Sequence, residues 1–251
     1  MRLPIPFPIP WPEAWRPLPC AVATSTAYAA LYTASNHMTS LRTDVGAGVF
    51  AWERGIPFVD WTVVPYLSIC VFFALSFFID ADAGRLRRHV LRLLLVLIVS
   101  VLCYAAFPLR FTFERPPTDG VIGLMFDLLG HCDMPYNRAP SLHIGVLVLM
   151  WARFSPVARG GWALALHAWF ALIGVSVLTT YQHHVLDVPA GAALGIAAIL
   201  LTMPSRRAMH AGHAPRGSVT AGRTEGRIGG RTEGRTEGRP GSHTRGETAR
   251  A

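Results

Sequence analysis

The chain has 251 residues, of which 51% are hydrophobic and only 15% charged, and its net charge is +8. Soluble domains carry about a quarter charged residues, so this composition argues against an ordinary water-soluble enzyme. The surplus arginine lies between long apolar blocks and in the tail, a distribution that speaks for membrane topology and anionic headgroups and against a nucleic-acid surface.

Residues 1–17 alternate proline with apolar residues. They are too proline-rich for the apolar core of a signal peptide, and they read as an extended segment that rests Trp11 and Trp15 at the membrane interface. Residues 18–203 carry the apolar blocks: Leu18–Tyr32, rich in Ala and Thr, then Trp61–Ile79, Val90–Leu109, Ala139–Trp151, Gly160–Leu178 and Val185–Met203. A transmembrane helix takes about 20 mostly apolar residues. The blocks lack the polar face that a helix of a soluble bundle shows. The expectation is an all-α integral membrane protein of about six transmembrane helices.

The arginines orient it. Arg85, Arg87, Arg88 and Arg92, then Arg153 and Arg159, then Arg206 and Arg207 fall on one side of a six-span chain, which is the cytoplasmic side by the positive-inside rule. The opposite, outer side receives Arg42 to Arg54, Phe107 to Ser141 and the stretch "YQHHVLD". From residue 204 the chain becomes a short Arg/Gly/Thr/Glu repeat, "GRTEGRIGGRTEGRTEGRPG", too poor in apolar residues to fold and expected as a disordered cytoplasmic tail. The four cysteines, Cys20, Cys70, Cys103 and Cys132, form no spaced framework, and no disulfide is inferred.

Ionisable groups beside membrane spans are costly and point to function. Three clusters gather on the outer side: Arg110, Glu114 and Arg115; His131, Asp133, Asn137, Arg138, Ser141 and His143; and His183, His184 and Asp187. Guanidinium groups that hold phosphate oxygens, beside histidines that attack phosphorus or move protons, suit phosphoryl chemistry. His183 and Asp187 are four residues apart and share a face if the last span is already helical there. Pro189 favours instead a loop histidine facing a helix-start aspartate, and His184 is the competing partner.

"APSLH" (Ala139 to His143), followed forty residues on by "HHVLD", resembles the second and third motifs of the membrane phosphatidic acid phosphatase superfamily, Pro-Ser-Gly-His and Ser-Arg-x5-His-x3-Asp. The similarity is greatest to the branch of inositolphosphorylceramide and sphingomyelin synthases with their bacterial relatives, and it covers about Pro57 to Met203. The resemblance implies a phosphatidic acid phosphatase-like helical bundle, in a bacterial inner (plasma) membrane, with its active site on the outer (periplasmic) face. It implies that His183 is a nucleophile forming a phosphohistidine, that Asp187 orients it, and that His143 is the general acid and then the base. Arg110, Arg115, Arg138 and Ser141 would hold the phosphate, and no metal or other cofactor is needed. The partners implied are a lipid phosphate or phospholipid substrate and the membrane itself. The third motif's arginine is Val177 here, the second motif's glycine is Leu142, and the first motif, Lys-x6-Arg-Pro, survives as Arg115-Pro116 with Pro108 in the lysine position and Arg110 as a substitute. These departures favour a lipid phosphotransferase or an unusual phosphatase.

Three rival readings stand beside this one. "HCDMPYNR" fits the cysteine-phosphatase spacing, but Pro135 removes a backbone donor and Asp133 repels phosphate. The histidines with Cys132 and Asp133 offer zinc-type ligands. A transporter or scaffold without catalysis is the third, against which stand the low span number and the absence of an internal repeat.

Overall fold

The computed structural model describes residues 16–79 and 82–203, all within a unit ending at Ser205. The extended N-terminal segment up to residue 15 and the disordered tail from residue 204, both expected from the sequence, lie outside the described residues. Within them the chain is all-helical: α1 Leu18–Ser40, α2 Val63–Ser76, α3 Ala83–Ala106, α4 Gly120–Cys132, α5 Leu142–Phe154, α6 Gly161–Thr179 and α7 Asp187–Leu201. Two 3-10 turns, Ala51–Gly55 and Asp60–Thr62, lead into α2, and the nearest approach to β structure is a single bridge between Gly46 and Leu109.

Each apolar block yields one helix, with ends set by local chemistry. α3 begins at Ala83 because the Asp82 side chain accepts the Arg85 N–H at 2.6 Å, a side-chain N-cap. Arg85, Arg87 and Arg88, which precede the apolar block Val90–Leu109, therefore ride the first turns of a helix. α1 runs eight residues past Tyr32, since its polar end is buried: Ser35 and Thr39 both donate to Asn137 Oδ1, at 3.3 and 3.2 Å. α4 was not expected. It takes up "GVIGLMFDLLGHC", too short an apolar run to read as a span.

Two helices, α3 and α6, are long and apolar enough to cross a membrane by length and composition. Only 33% and 28% of their apolar windows are buried inside the protein, less than for the central helix of a soluble fold. The remaining apolar helices have 13 to 15 residues. At 1.5 Å per residue they reach about 20–22 Å, short of a hydrocarbon core of about 30 Å. The six-span expectation counted residues that the structure uses for caps and turns, such as Ala139–Ser141 before α5 and Phe77–Ile79 after α2.

α5 is the hub, packed against α2, α3, α6 and α7. It buries residues all round, Ile144 to Leu147 with Leu149 and Met150, as a core helix must. α7 meets α5 through glycines one turn apart. A Cβ on Gly191 would stand 2.3 Å from the Ser141 carbonyl oxygen, and one on Gly195 would stand 2.8 Å from Gly145 O and from Val148 Cβ. Small residues let two helix backbones approach this closely. Because Ser141 precedes His143 and α7 starts at Asp187, this contact joins the two polar sequence motifs. Gly191→Val should therefore lower the detergent-solubilised protein's thermal midpoint, with a destabilisation of about 1–3 kcal/mol for overpacking against backbone. An unchanged midpoint would mean that α5 and α7 are not closely apposed.

Candidate active site

The third motif is built at the end of α6. Tyr181 N–H donates to Leu178 O at 3.2 Å and Gln182 N–H to Val177 O at 3.2 Å, the paired bonds of a Schellman ending. That ending needs a left-handed residue after the cap. Glycine usually fills it, but here Tyr181 does, with φ +56°. Such a backbone costs about 1–2 kcal/mol for an L-residue. It is held by the Tyr181 hydroxyl donating to Ile56 O at 2.9 Å and by the ring packing on Phe58, Phe111 and Phe113. The chain then folds back, and His183 N–H also reaches Val177 O at 3.0 Å.

His183 is thus a loop histidine facing the first residue of α7. Its Nδ1 lies 3.2 Å from Asp187 Oδ2, and both side chains are buried. The same carboxylate oxygen accepts the His184 N–H at 2.9 Å. The neutral tautomer that satisfies Asp187 carries its proton on Nδ1, which leaves the Nε2 lone pair of His183 available. His184 is differently placed. Its Nδ1 is 2.9 Å from Glu53 Oε2, its Nε2 is 3.3 Å from Thr112 Oγ1, and its ring stacks on Phe111 with centroids 4.4 Å apart. Both its ring nitrogens are occupied.

His143 lies in the first turn of α5, stacked on Tyr66 from α2 with centroids 4.1 Å apart. Its Nε2 is sealed from solvent and has no hydrogen-bond partner among the described residues. Ser141 is fully buried and caps α5: its Oγ accepts the Ile144 N–H at 3.3 Å, while its own N–H donates to Asp187 O at 3.1 Å. It joins the second motif to the third.

A cavity of about 240 Å³ opens beside this loop, with Arg115, Asp133, Arg138, Gln182 and the rings of Phe111 and Phe113 in its wall. Arg138 is buried, donates to the Gln182 and Met134 carbonyls, and sits 3.9 Å from Asp133 Oδ2. Arg115 lies over the Phe126 ring at 4.6 Å, and burial holds its pKa below the usual guanidinium value. The Gln182 amide is assigned from its neighbours, and in the orientation that satisfies both it bridges the wall, its nitrogen donating to Asp133 Oδ2 at 3.2 Å and its oxygen accepting from Arg115. The Nε atoms of Arg115 and Arg138 are buried without partners among the described residues. Two cations against one carboxylate, with unspent donors, suit an anion carrying several oxygens.

Of the residues singled out in the sequence, His143, His183, Asp187 and Ser141 come together, and Arg115 and Arg138 meet in the adjoining cavity. Arg110 does not join them. Its side chain is exposed and its backbone N–H donates to Gly46 O at 2.9 Å. Ser141 and the two histidines do not line the cavity, and Gln182 is the link between cavity and His183. Sequence reading missed Glu53, Tyr66, Tyr181 and Gln182. Glu53 had a visible signal, a lone acid in the aromatic stretch "VFAWERGIPF"; Tyr181 and Gln182 lie inside the quoted stretch "YQHHVLD"; Tyr66 had none. His131 is exposed, with Nδ1 2.6 Å from Asp127 O, and no group of three metal-ligating side chains converges among the described residues.

Comparison of the chain with protein-family models, curated proteins and solved structures finds no match.

Proposed function

We propose that this protein is a membrane-embedded lipid phosphatase or phosphotransferase of the phosphatidic acid phosphatase type, working through a phosphohistidine on His183. The observation that carries this reading is the buried His183–Asp187 pair, on one loop with an arginine-walled cavity and tied through the Ser141 N–H on Asp187 O to the segment that carries His143. In the reaction, His183 Nε2 attacks phosphorus while His143 gives a proton to the departing oxygen of the lipid or headgroup. His143 then takes a proton from water or an alcohol, whose oxygen displaces His183 and regenerates it. Arg115 and Arg138 offset charge on the phosphate's equatorial oxygens.

The membrane arrangement proposed with it is a bundle of about six spans, the shorter helices completed by flanking apolar residues, with the site facing outward. Exposed Leu91, Ile98 and Leu102 on α3, and Trp162, Leu164 and Val175 on α6, support a lipid-facing exterior. In a background with the cysteines replaced, Glu114→Cys should react with an impermeant thiol reagent on intact cells, and Arg87→Cys only after permeabilisation. Both positions are exposed. The reverse pattern overturns the topology.

The catalytic reading is tested with purified protein in detergent, given radiolabelled phosphatidic acid and phosphatidylinositol with and without an alcohol acceptor. Release of phosphate or transfer of the headgroup is expected. Failure to turn over either lipid contradicts the reading and returns the transporter or scaffold alternative.

A further inference from the structure

We infer that Glu53 is a positioning residue for the His183 loop, acting through His184. Glu53 sits in the 3-10 turn Ala51–Gly55, 131 residues from its partner, and is 1% exposed. Its carboxylate is fully engaged. Oε1 accepts the Phe50 N–H at 2.9 Å, and Oε2 accepts from His184 Nδ1 at 2.9 Å and from the Val185 N–H at 3.1 Å. His184 is gripped on its other sides too, by the face of Phe111, the edge of Phe113 at 5.0 Å and the Thr112 hydroxyl.

An apolar pair of similar volume would hold two segments together as well as a buried ion pair does. What the carboxylate adds is direction. It places the His184 proton on Nδ1 and aims the Val185 N–H outward from the loop, so the intervening backbone turns the His184 N–H onto Asp187 Oδ2. That oxygen is the one His183 Nδ1 meets. The two carboxylates therefore act in series: Glu53 fixes His184, His184 fixes Asp187, and Asp187 fixes the His183 ring. Without Glu53 the loop loses two of its anchors, and His183 loses its single favoured tautomer. Misplacing a reacting group by about 1 Å costs about a hundredfold in rate.

This inference rests on His183 being the nucleophile, and the experiment separates the two ideas. Full-length protein labelled with ¹⁵N-histidine in detergent reports the His183 tautomer by NMR. The same samples are assayed with ³²P-labelled phosphatidic acid in mixed micelles. The variants are Glu53→Gln, His184→Leu and His184→Asn, the last because its amide nitrogen takes the place of Nδ1 and still donates to Glu53. In Glu53→Gln and His184→Leu, His183 should lose its uniform Nδ1–H form, and kcat should fall about tenfold or more with KM within about twofold. His184→Asn should keep the Nδ1–H form and a kcat within about fivefold of wild type. An unchanged His183 tautomer in Glu53→Gln and His184→Leu overturns the inference, as does His184→Asn being as impaired as His184→Leu. If Glu53→Gln does not fold, the two His184 variants decide alone. If no lipid phosphate turns over but the tautomer shifts as expected, the positioning role stands and the proposed reaction falls.

Discussion

His183→Ala is expected to abolish turnover while leaving the fold in place. Among the described residues the side chain makes one hydrogen bond, to Asp187, and that carboxylate keeps its bond from the His184 N–H when the ring is gone. Its loss thus removes the attacking nitrogen without stranding a buried charge. General acid–base groups contribute about 10²–10⁴-fold, and a missing nucleophile costs more, so the residual rate should lie below about one ten-thousandth of wild type. His143→Ala should lose about 10²–10⁴-fold, as expected for a general acid, its ring being stacked on Tyr66. Thermal melting in detergent checks folding beside the assay. If His184→Ala is dead and His183→Ala remains active, the roles within the pair are reversed, which the Glu53 and Thr112 contacts of His184 argue against.

Asp187→Asn should cost about 10²–10⁴-fold in kcat with little change in stability. Asp187 is buried, and its Oδ2 receives two donors, His183 Nδ1 and the His184 N–H. An asparagine with its oxygen in that place keeps both bonds. It brings no charge to balance the cationic imidazole that forms on the way to the phosphohistidine. Turned the other way, its NH₂ faces two donors and selects the wrong His183 tautomer. A near-wild-type kcat for this variant removes the His–Asp mechanism.

The positions of the helices that form from apolar blocks were legible because blocks of this length read as helices. Their ends were not, since caps such as Asp82 and Ser141 are single side-chain bonds that composition does not reveal. α4 escaped because a thirteen-residue run, interrupted by Asp127 and His131, falls below the length that marks a span. In the site, the spacing of His183 and Asp187 allowed a helical pair or a loop–helix pair, and Pro189 pointed to the second, which is the arrangement found. Arg115 and Arg138, 23 residues apart in sequence, meet at one cavity because α4 loops out between them. Arg110 stands beside Arg115 in the sequence and reads as a substitute for the first motif's lysine, yet the backbone bonds that tie Pro108 and Arg110 to Gly46 hold it elsewhere. Glu53 stands out locally as a lone acid among aromatic residues, but its partner does not, because only tertiary structure brings it to His184 from 131 residues away.

The central claim is that phosphorus passes through His183. Brief incubation of the protein with ³²P-labelled phosphatidic acid, followed by alkaline quenching and peptide mapping, tests it most directly, because phosphohistidine survives alkali and is lost in acid. The account predicts an alkali-stable, acid-labile label on the peptide holding His183, chased off by an alcohol acceptor and absent from His183→Ala. A label on His184 or Cys132 instead, or lipid turnover by His183→Ala at the wild-type rate, would contradict it.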